Sequence, residues 1–394
     1  MRVSNFWAIL ALLSLAAVSC RQDNIFQIIA SETAPRDPRI AGTPCNMVVF
    51  NRTVGTETVP IMCVASKRLH WYAKAPDADA ADFPRWDSDG YLPQPGGMIS
   101  ALAVTKNGTK ERLYALCRDG LSVNARLRYI ESDGADWTPV GSAGPIQTIF
   151  ADPEGELLFA GTRTRDPTSD GKDYTISYYK ADGTGGGIMS NTSLLSGVVK
   201  VSNDYYLSTA GDGIYKVSTA PTTATQLTGG ALHFTSIINL GSNNIIAVER
   251  NGGRLYKLDT SEDSFSSIGS STGGYATNAS ASWEEPASAA RKLFLVGIQG
   301  GLFTSFNSSY TYGYVEFDIN TGGSISGGRA PSISVMSDTS RYMATLGKYP
   351  VNHLYQAPPN IDPEMTSFAA TQLKGLWSYR DRPGNGGWQW NAEE

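Results

Sequence analysis

The sequence has little of what catalytic and metal-binding sites usually need. Among its 394 residues there are three histidines and four cysteines, with no CxxC pair, so a zinc site of the Cys/His type is not expected. Charged residues make up only 18% of the chain, and no run of Lys and Arg gives the electrostatic footprint of a nucleic-acid-binding protein. The formal net charge of −5 argues equally against attachment to anionic lipid by charge.

Sequence motifs of hydrolytic chemistry are also missing. No Gly-x-Ser-x-Gly is followed by a suitable Asp and His, as a nucleophile elbow requires, and Gly323–Gly328, GSISGG, is interpreted as a flexible link. The closest match to a sialidase Asp-box, Ser132–Pro139, has its letters at the wrong spacing and occurs once. The acidic stretches Asp77–Asp82, Asp87–Gly90 and Asp166–Asp173 lack the ligand spacing of an EF-hand loop and are typical of turns. We therefore assign no catalytic residue, no metal ligand and no cofactor.

A continuous apolar run lies at the N-terminus. The apolar run Phe6–Val18 follows Arg2 and is shorter than the roughly 20 residues that span a bilayer, which is typical of an export signal. Small residues then precede Cys20, as in the lipobox of bacterial lipoproteins, although Ala17 stands where Leu is usual. We predict a signal peptide over 1–19 and membrane attachment through acyl chains on Cys20. The alternative is an ordinary secretory signal in which Cys20 has no role.

What the chain has in excess is glycine and tyrosine, arranged in a repeat. There are 41 Gly and 19 Tyr residues, a composition typical of turn-rich β proteins. The order glycine, aliphatic, aromatic returns at Gly211–Val217, Asn251–Leu258, Gln299–Phe306 and Leu373–Arg380. Asp-Gly and Asn-Gly between alternating runs predict hairpins. The glycine is therefore interpreted as the turn between the second and third strands of a four-stranded unit.

Seven such units can be followed along the chain, each of about 40 to 50 residues, which is the length of a β-propeller blade. The sequence predicts an all-β, seven-bladed β-propeller of four-stranded antiparallel blades over 43–394, behind an acylated cysteine and tether over 20–42. A two-sheet sandwich repeated twice is the alternative fold, but it does not explain the shared strand order. The units run from NMVVFN to RWDSD, from MISALAVT to DWTPV, from IQTIFADPEG to a glycine-rich close, from LLSGVVKV to TQLT, from HFTSIINL to SSIGS, from SASWEE to YTYGYVEFDI, and from PVNHLYQAP to GWQWNAEE.

The C-terminal segment is predicted to complete the ring. Either GWQWNAEE is the outer strand of the last blade, or NIFQIIAS near the tether adds to that blade. We expect removal of Trp388 or Trp390 to destabilise the ring, since truncation of a buried Trp typically costs about 3 to 5 kcal/mol.

Three cysteines remain in the mature chain besides Cys20. An exported protein meets oxidising conditions, so two of Cys45, Cys63 and Cys117 could form one disulfide. Cys63 and Cys117 both lie in apolar, strand-like runs, so a role as small buried hydrophobic residues is the alternative.

The segments GIYKVS, GLWSYR and WQWNAEE, with the lipobox-like start, resemble the β-propeller lipoproteins of spirochaetes, treponemes among them. The resemblance covers most of the mature chain and implies fold and cellular address rather than activity. In better-known bacteria an Asp after the acylated cysteine retains a lipoprotein at the inner membrane. Arg21 follows Cys20 in this sequence, which implies the outer membrane, facing the periplasm or the cell surface. The chain resembles more loosely the propeller lipoprotein of the outer-membrane assembly machinery, whose repeat signature differs.

We expect a monomeric binding or scaffold protein of the bacterial cell envelope, which presents loops to a protein or glycan partner and binds no nucleic acid. Loops on a rigid scaffold commonly carry such functions, and the long inter-strand loops are Ala75–Gly90, Arg163–Asp173 and Phe303–Thr311. The enzyme alternative, a sialidase-like or lactonase-like hydrolase, predicts convergent arginines or carboxylates at the mouth of the axial channel. A purely structural envelope component is the third alternative.

Overall fold

A computed structural model describes residues 40–72, 86, 92–108, 110–119, 125–140, 145–164, 173–221, 223–241, 244–284, 292–299, 313–320, 323–329, 350–363, 365–382 and 387–393. The regular structure of these residues is β-strand throughout. No helix among them is long and apolar enough to cross a membrane. The predicted signal peptide, Cys20 and most of the tether lie outside the described residues, so these assignments remain predictions.

The strands form seven antiparallel sheets, each built from consecutive strands. The first shows three strands in the described part of the chain, and the other six show four. The chain is therefore the predicted seven-bladed β-propeller. Blades 1 to 7 comprise β1 (Val48–Val54), β2 (Glu57–Ser66) and β3 (Arg68–Tyr72); β4 (Met98–Asn107), β5 (Lys110–Arg118), β6 (Ala125–Glu131) and β7 (Thr138–Pro139); β8 (Ile146–Phe150), β9 (Leu158–Arg163), β10 (Tyr174–Tyr179) and β11 (Gly185–Thr192); β12 (Leu195–Val201), β13 (Asp204–Thr209), β14 (Ile214–Ser218) and β15 (Ala224–Gln226); β16 (Phe234–Asn239), β17 (Ile245–Glu249), β18 (Arg254–Asp259) and β19 (Ser264–Ser271); β20 (Ala276–Glu284), β21 (Lys292–Ile298), β22 (Tyr314–Ile319) and β23 (Ile325–Arg329); β24 (Val351–Gln356), β25 (Ser367–Thr371), β26 (Leu376–Arg382) and β27 (Gly387–Ala392).

One detail of the unit boundaries differs from the expectations, and another lies outside the described residues. The fourth strand expected for blade 1, RWDSD, lies outside the described residues apart from Trp86. The segment GSISGG is not a flexible link, because Ile325–Arg329 is β23 and pairs with β22 as the fourth strand of blade 6. Glycines at strand positions are disfavoured in isolation, so only the neighbouring strand and its partners make this segment regular.

The hydrophobic core divides into seven clusters, each packed between two neighbouring blades. A four-stranded sheet cannot bury both of its faces alone, so each blade depends on the blade on either side. The first strands of successive blades contact one another, which makes them the innermost strands around the central axis.

The seventh cluster closes the ring between blade 7 and blade 1. Met62 and Val64 of β2 pack there against Phe368 and Leu376 of the last blade. The C-terminal segment forms β27, the outer strand of blade 7, and Trp390 is 1% exposed. This confirms the first of the two predicted closures. The NIFQIIAS segment lies outside the described residues.

The repeated glycine occupies the predicted turn between the second and third strands. Gly213, Gly253 and Gly375 each precede a third strand and have φ of 83°, 59° and 75°, a region that L-residues with a Cβ rarely adopt. The turns span four residues, and in two of them the N–H of a strand-ending Thr donates to the glycine carbonyl at 2.9 and 3.0 Å. In blade 6 the glycine before the third strand is Gly313, whose carbonyl accepts a hydrogen bond from the Ile298 N–H. The glycines of Gln299–Phe306 do not occupy this position, contrary to the expectation.

Because every blade begins on the same side, the propeller has two different faces. The blade-to-blade connections and the second-to-third-strand turns lie on one of them, called the connection face. The first-to-second and third-to-fourth turns lie on the opposite one, called the hairpin face.

Candidate functional site: the connection face

The three loops predicted from sequence to carry function lie almost wholly outside the described residues. Of Ala75–Gly90 only Trp86 is described, of Arg163–Asp173 only the two ends, and of Phe303–Thr311 nothing. The two ends of the second loop, Arg163 and Asp173, lie at the connection face between β9 and β10. Their functions remain predictions, so the site is built from the strands that surround the axis.

Six of the seven innermost strands carry a β-bulge near their start, at the third residue of β4 and at the second residue of the other five. A bulge inserts one unpaired residue into the strand, so the buried side chains on either side of it are three positions apart instead of two. The unpaired residue is polar in every case and keeps solvent-accessible surface, as the innermost position near the axis allows. These bulge residues are Ser100, Gln147, Ser196, Thr235, Thr277 and Asn352.

Local hydrogen bonds hold several bulge side chains in place. The Ser100 hydroxyl donates to the Leu116 carbonyl at 3.2 Å, and that of Thr235 to the Val248 carbonyl at 3.3 Å. The amide oxygen of Gln147 accepts from the Arg118 guanidinium at 3.0 Å. The bulges therefore place fixed polar groups around the axis just inside the connection face.

A backbone hydrogen bond outside each bulge ties the end of the second strand to the start of the first. In five blades the N–H at the end of the second strand donates, at 2.7 to 3.1 Å, to the carbonyl of the residue before the first strand. In blade 2 the same two positions are paired as Met98 and Arg118. We call these the rim positions. Those at the second strand are Arg118, Arg163, Ala210, Arg250, Gln299 and Gln372, and those at the first strand are Met98, Pro145, Leu194, His233, Tyr275 and Pro350.

The large apolar side chains that remain exposed in the described part of the chain all lie on the connection face. They are Met98, Tyr275 and Leu373, which are 48%, 42% and 71% exposed. Met98 and Tyr275 occupy rim positions, and Leu373 lies in the second-to-third turn of blade 7. Leu373 is also left-handed, with φ of 72°, and its N–H donates to the Thr43 hydroxyl at 3.1 Å.

The two faces differ in charge. The net charge of −5 is not spread evenly, because cations outnumber acids among the described residues of the connection face and the reverse holds on the hairpin face. At the connection face the cations are Lys67, Arg68, Arg118, Arg126, Arg163, Arg250, Arg254 and Lys374, and the acids are Asp119, Asp173, Asp212, Glu249 and Glu393. At the hairpin face the cations are Arg52, Lys106, Lys110, Lys180, Lys200, Lys216, Lys257 and Lys292, and the acids are Glu57, Glu111, Glu131, Asp133, Asp136, Asp152, Glu154, Glu156, Asp182, Asp204, Asp259, Glu262, Asp263, Asp318 and Asp362.

The acids of the connection face have mainly structural partners. The Asp212 carboxylate is buried and accepts from the Ser193 N–H at 2.7 Å, which attaches a blade 4 turn to the preceding connection. Glu393 is buried and accepts from the Trp86 indole at 2.8 Å, across the ring closure. Glu249 differs, because burial raises its pKa while Arg254 and His233 oppose that rise. Within the described chain no group of three or more His, Cys, Asp or Glu residues could hold a metal ion.

The three cysteines in the described part of the chain form no disulfide. Cys45, Cys63 and Cys117 are free thiols that share the hydrophobic cluster between blades 1 and 2. Burial raises the pKa of Cys45 to about 12 and that of Cys117 to about 11, and it raises the pKa of Cys63 as well, where Cys45 adds to the effect. Protonated thiols are poor nucleophiles. The structure thus favours the second sequence interpretation, in which they act as small buried residues.

The bulge and rim positions were missed by sequence reasoning, although a signal for them exists. Each of the six bulged first strands contains two buried apolar residues separated by two others, of which the first is polar, as in Ile146-Gln147-Thr148-Ile149. That spacing belongs to neither an ordinary strand nor a helix, so it is hard to interpret before the strands are paired. Once the repeat is aligned on it, Arg118, Arg163 and Arg250 fall at one equivalent position.

No protein-family model and no curated protein sequence matches the chain. Solved structures do match. YCF48 bound to a D1 peptide is 9% identical, with 87% of this chain and 93% of that chain covered and a TM-score of 0.51. Virginiamycin B lyase from Staphylococcus aureus is 11% identical, with 86% and 96% covered and a TM-score of 0.52.

An ancestral GH74 enzyme is 15% identical over 91% of this chain, with a TM-score of 0.54, but only 47% of that chain is covered. At these identities the three likenesses show the fold alone. The propeller supports unrelated functions, so the function of this chain depends on the residues of its own connection face.

Proposed function

We propose that this protein is a binding or scaffold lipoprotein of the bacterial cell envelope, which presents the connection face to a protein or glycan partner. The observation that carries the proposal is that the exposed Met98, Tyr275 and Leu373 all lie on that one face. Large apolar side chains that the core leaves exposed on one face are candidates for contact with a partner. Acyl chains on Cys20 attach the monomer to the outer membrane, facing the periplasm or the cell surface.

The solved structure of YCF48 with a D1 peptide is a precedent for peptide binding on this fold. In this chain the supporting features are its own. The connection face combines exposed arginines with Met and Tyr, residue types that are enriched at protein interfaces.

Site-specific crosslinking tests which face meets a partner. A photoreactive amino acid placed at Leu373 should give a discrete adduct in cells, because that side chain is 71% exposed on the connection face. The matched control is Asn107, which is exposed on the hairpin face. Equal adducts from both positions, or none from either, would reject the proposal.

The anchor is tested separately. The wild-type protein should enter the detergent phase and carry the added mass of acyl chains, whereas Cys20→Ala should remain in the aqueous phase with the signal intact or cleaved elsewhere. Aqueous partitioning of both forms would reject lipid attachment at Cys20 and leave the connection-face proposal unaffected.

The sialidase-like hydrolase is a second candidate, favoured by one observation. Arg118, Arg163 and Arg250 stand at equivalent rim positions of blades 2, 3 and 5, and a sialidase needs clustered arginines for the substrate carboxylate. A fluorogenic sialoside should be hydrolysed if this is correct, and the rate should fall in Arg163→Lys and Arg250→Lys. The binding proposal predicts no turnover above that of the buffer.

A further inference from the structure

We infer that the connection face binds an acidic protein segment, in which carboxylates are paired with aliphatic or aromatic side chains. The inference rests on the proposed function and adds the chemistry of the partner. It is carried by three features that no other part of the described chain combines: exposed arginines, exposed large apolar side chains, and polar groups fixed around the axis.

The arginines are available for a partner. Arg163, Arg250 and Arg254 are exposed at strand ends and make no side-chain hydrogen bond or salt bridge with another described residue, although the charge of Arg254 acts on Glu249. Arg118 and Arg126, by comparison, are engaged with Gln147 and Asp119 at 3.0 Å. Arginine offers a planar fork of donors that fits a carboxylate in a bidentate geometry. The available arginines thus select for anionic groups, and for carboxylates in particular.

The apolar side chains are kept exposed at a cost to the fold. Leu373 adopts a left-handed conformation, which disfavours residues with a Cβ by roughly 1–2 kcal/mol, and 71% of it is exposed. Glycine would relieve the strain, and Asn would also fit it. A strained residue that the core does not use suggests a function for its side chain. Leu373 is therefore assigned as an apolar contact for the partner.

The kind and position of these side chains favour a protein partner over a glycan or a membrane. Met98 and Leu373 are aliphatic contacts, which suit Leu, Ile, Val or Met side chains better than sugar rings. Met98 and Tyr275 adjoin the innermost strands at the rim, a position that a narrow segment of chain can reach. A bilayer, by contrast, is contacted by side chains that project beyond the surrounding surface.

The hairpin face has the opposite charge balance, which further favours binding of an acidic segment at the connection face. Acids are in excess there, so an acidic segment that approaches the protein is repelled from one face and attracted to the other. Local fields of this kind guide association and orientation more than they set affinity. Weaker binding at higher ionic strength is the expected consequence.

The test is a selection of random displayed peptides on the Cys20→Ala protein, with crosslinking from Leu373 run in parallel. Selected peptides should be enriched in Asp and Glu together with Leu, Ile, Phe or Tyr. Binding of the best synthetic peptide, followed by fluorescence anisotropy, should weaken at least about tenfold in the triple variant Arg163→Gln, Arg250→Gln, Arg254→Gln, which corresponds to loss of about 1.4 kcal/mol. The matched control changes hairpin-face cations, Lys106→Gln and Lys257→Gln, and should bind like the unmodified protein.

Each other outcome overturns the inference. Peptides without acidic residues, no enriched peptide at all, or equal binding by the arginine variant would reject an acidic segment as the ligand. Arginine-dependent binding of phosphatidylglycerol vesicles or of sialylated glycans, without peptide binding, would assign the face to lipid or glycan. If crosslinks from Leu373 persist in those cases, the proposed function stands and only the partner chemistry is wrong. If the crosslinks are absent too, both fail.

Discussion

The two faces of the propeller use charged residues in opposite ways. On the hairpin face cations are paired across blade boundaries: Lys106 with Glu154 at 3.0 Å, and Lys216 with Asp263 at 2.9 Å. On the connection face Arg163 and Arg250 are exposed and unpaired among the described residues. The hairpin face therefore contributes to holding blades together, and the connection face keeps side chains that the fold does not need. A surface whose charges are not used internally is the surface to examine for a partner.

Blade 7 offers the sharpest test of this difference, because it carries both a fully buried and a strongly exposed large apolar side chain. Trp390 is 1% exposed, packs against Tyr379, and donates to the Tyr314 hydroxyl at 3.2 Å. Trp390→Ala should lower the free energy of unfolding by about 3 to 5 kcal/mol, because it removes a large buried ring and leaves a cavity. Urea unfolding measures this free energy. The control is Leu373→Ser, which should lower the free energy of unfolding by less than about 0.5 kcal/mol. Similar losses in both variants would mean that Leu373 has a structural role.

The next largest effect is expected from a buried cation at the hairpin-face side of the blade 1 and blade 2 junction. The Arg52 guanidinium donates to the carbonyls of Glu131, Ser132 and Gly134 at 3.3, 3.0 and 2.6 Å. Arg52→Met should cost about 3 kcal/mol in urea unfolding, since buried carbonyls lose a charged donor. The same change at the exposed Arg163 of the connection face should cost less than about 0.5 kcal/mol. If Arg163→Met proves equally damaging, the two faces do not differ as argued.

Cations are exposed at the rim of the connection face, whereas the charged form of His353, which is buried below the rim, is disfavoured. Burial lowers the pKa of His353 from 6.5 to about 4, and its Nδ1 is buried without a hydrogen-bond partner among the described residues. The unfolded chain takes up a proton below pH 6.5 and the folded chain only near pH 4, so stability falls as the pH drops through this window. The contribution of His353 should lower the free energy of unfolding by about 2 kcal/mol near pH 5. Urea unfolding of His353→Gln should lack this part of the pH dependence, and an unchanged pH profile would show that other groups cause it.

The smallest expected change in the free energy of unfolding is an increase. Leu373→Gly should stabilise the protein by about 0.5 to 1 kcal/mol, because glycine relieves the left-handed strain while gaining some freedom in the unfolded chain. The same variant should weaken peptide binding at the connection face. Thermal unfolding and fluorescence anisotropy on one preparation measure both quantities. Loss of stability with unchanged binding would remove Leu373 from the proposed site.

Much of the architecture could be predicted from the sequence, because turn chemistry is local. Asp212-Gly213 and the glycines of Asn251–Leu258 signal their turns through backbone conformations that few other residues adopt. The closing strand at Trp390 was predictable from its aromatic residues. Gly323–Gly328 was misinterpreted, because the glycines give no strand signal and only pairing with β22 makes them regular.

The candidate site could not be predicted in the same way. Arg118, Arg163 and Arg250 are far apart in the chain and share no local motif, so their equivalence depends on strand register and on the bulges. The same applies to Met98, Tyr275 and Leu373, which look like ordinary strand or turn residues. Exposure is decided by which neighbouring blade covers a residue, and that information is not local.

The sequence by itself determined that the chain folds as a repeat of short strands and tight turns, because hydrophobic alternation and left-handed glycines act over a few residues. It also determined a net charge of −5 without indicating where that charge lies. Only the tertiary structure decided that acids gather on one face and arginines on the other. The physical reason is that the up-and-down order of four strands sends successive chain ends to opposite faces, and the closed ring then brings equivalent ends of distant blades around one axis.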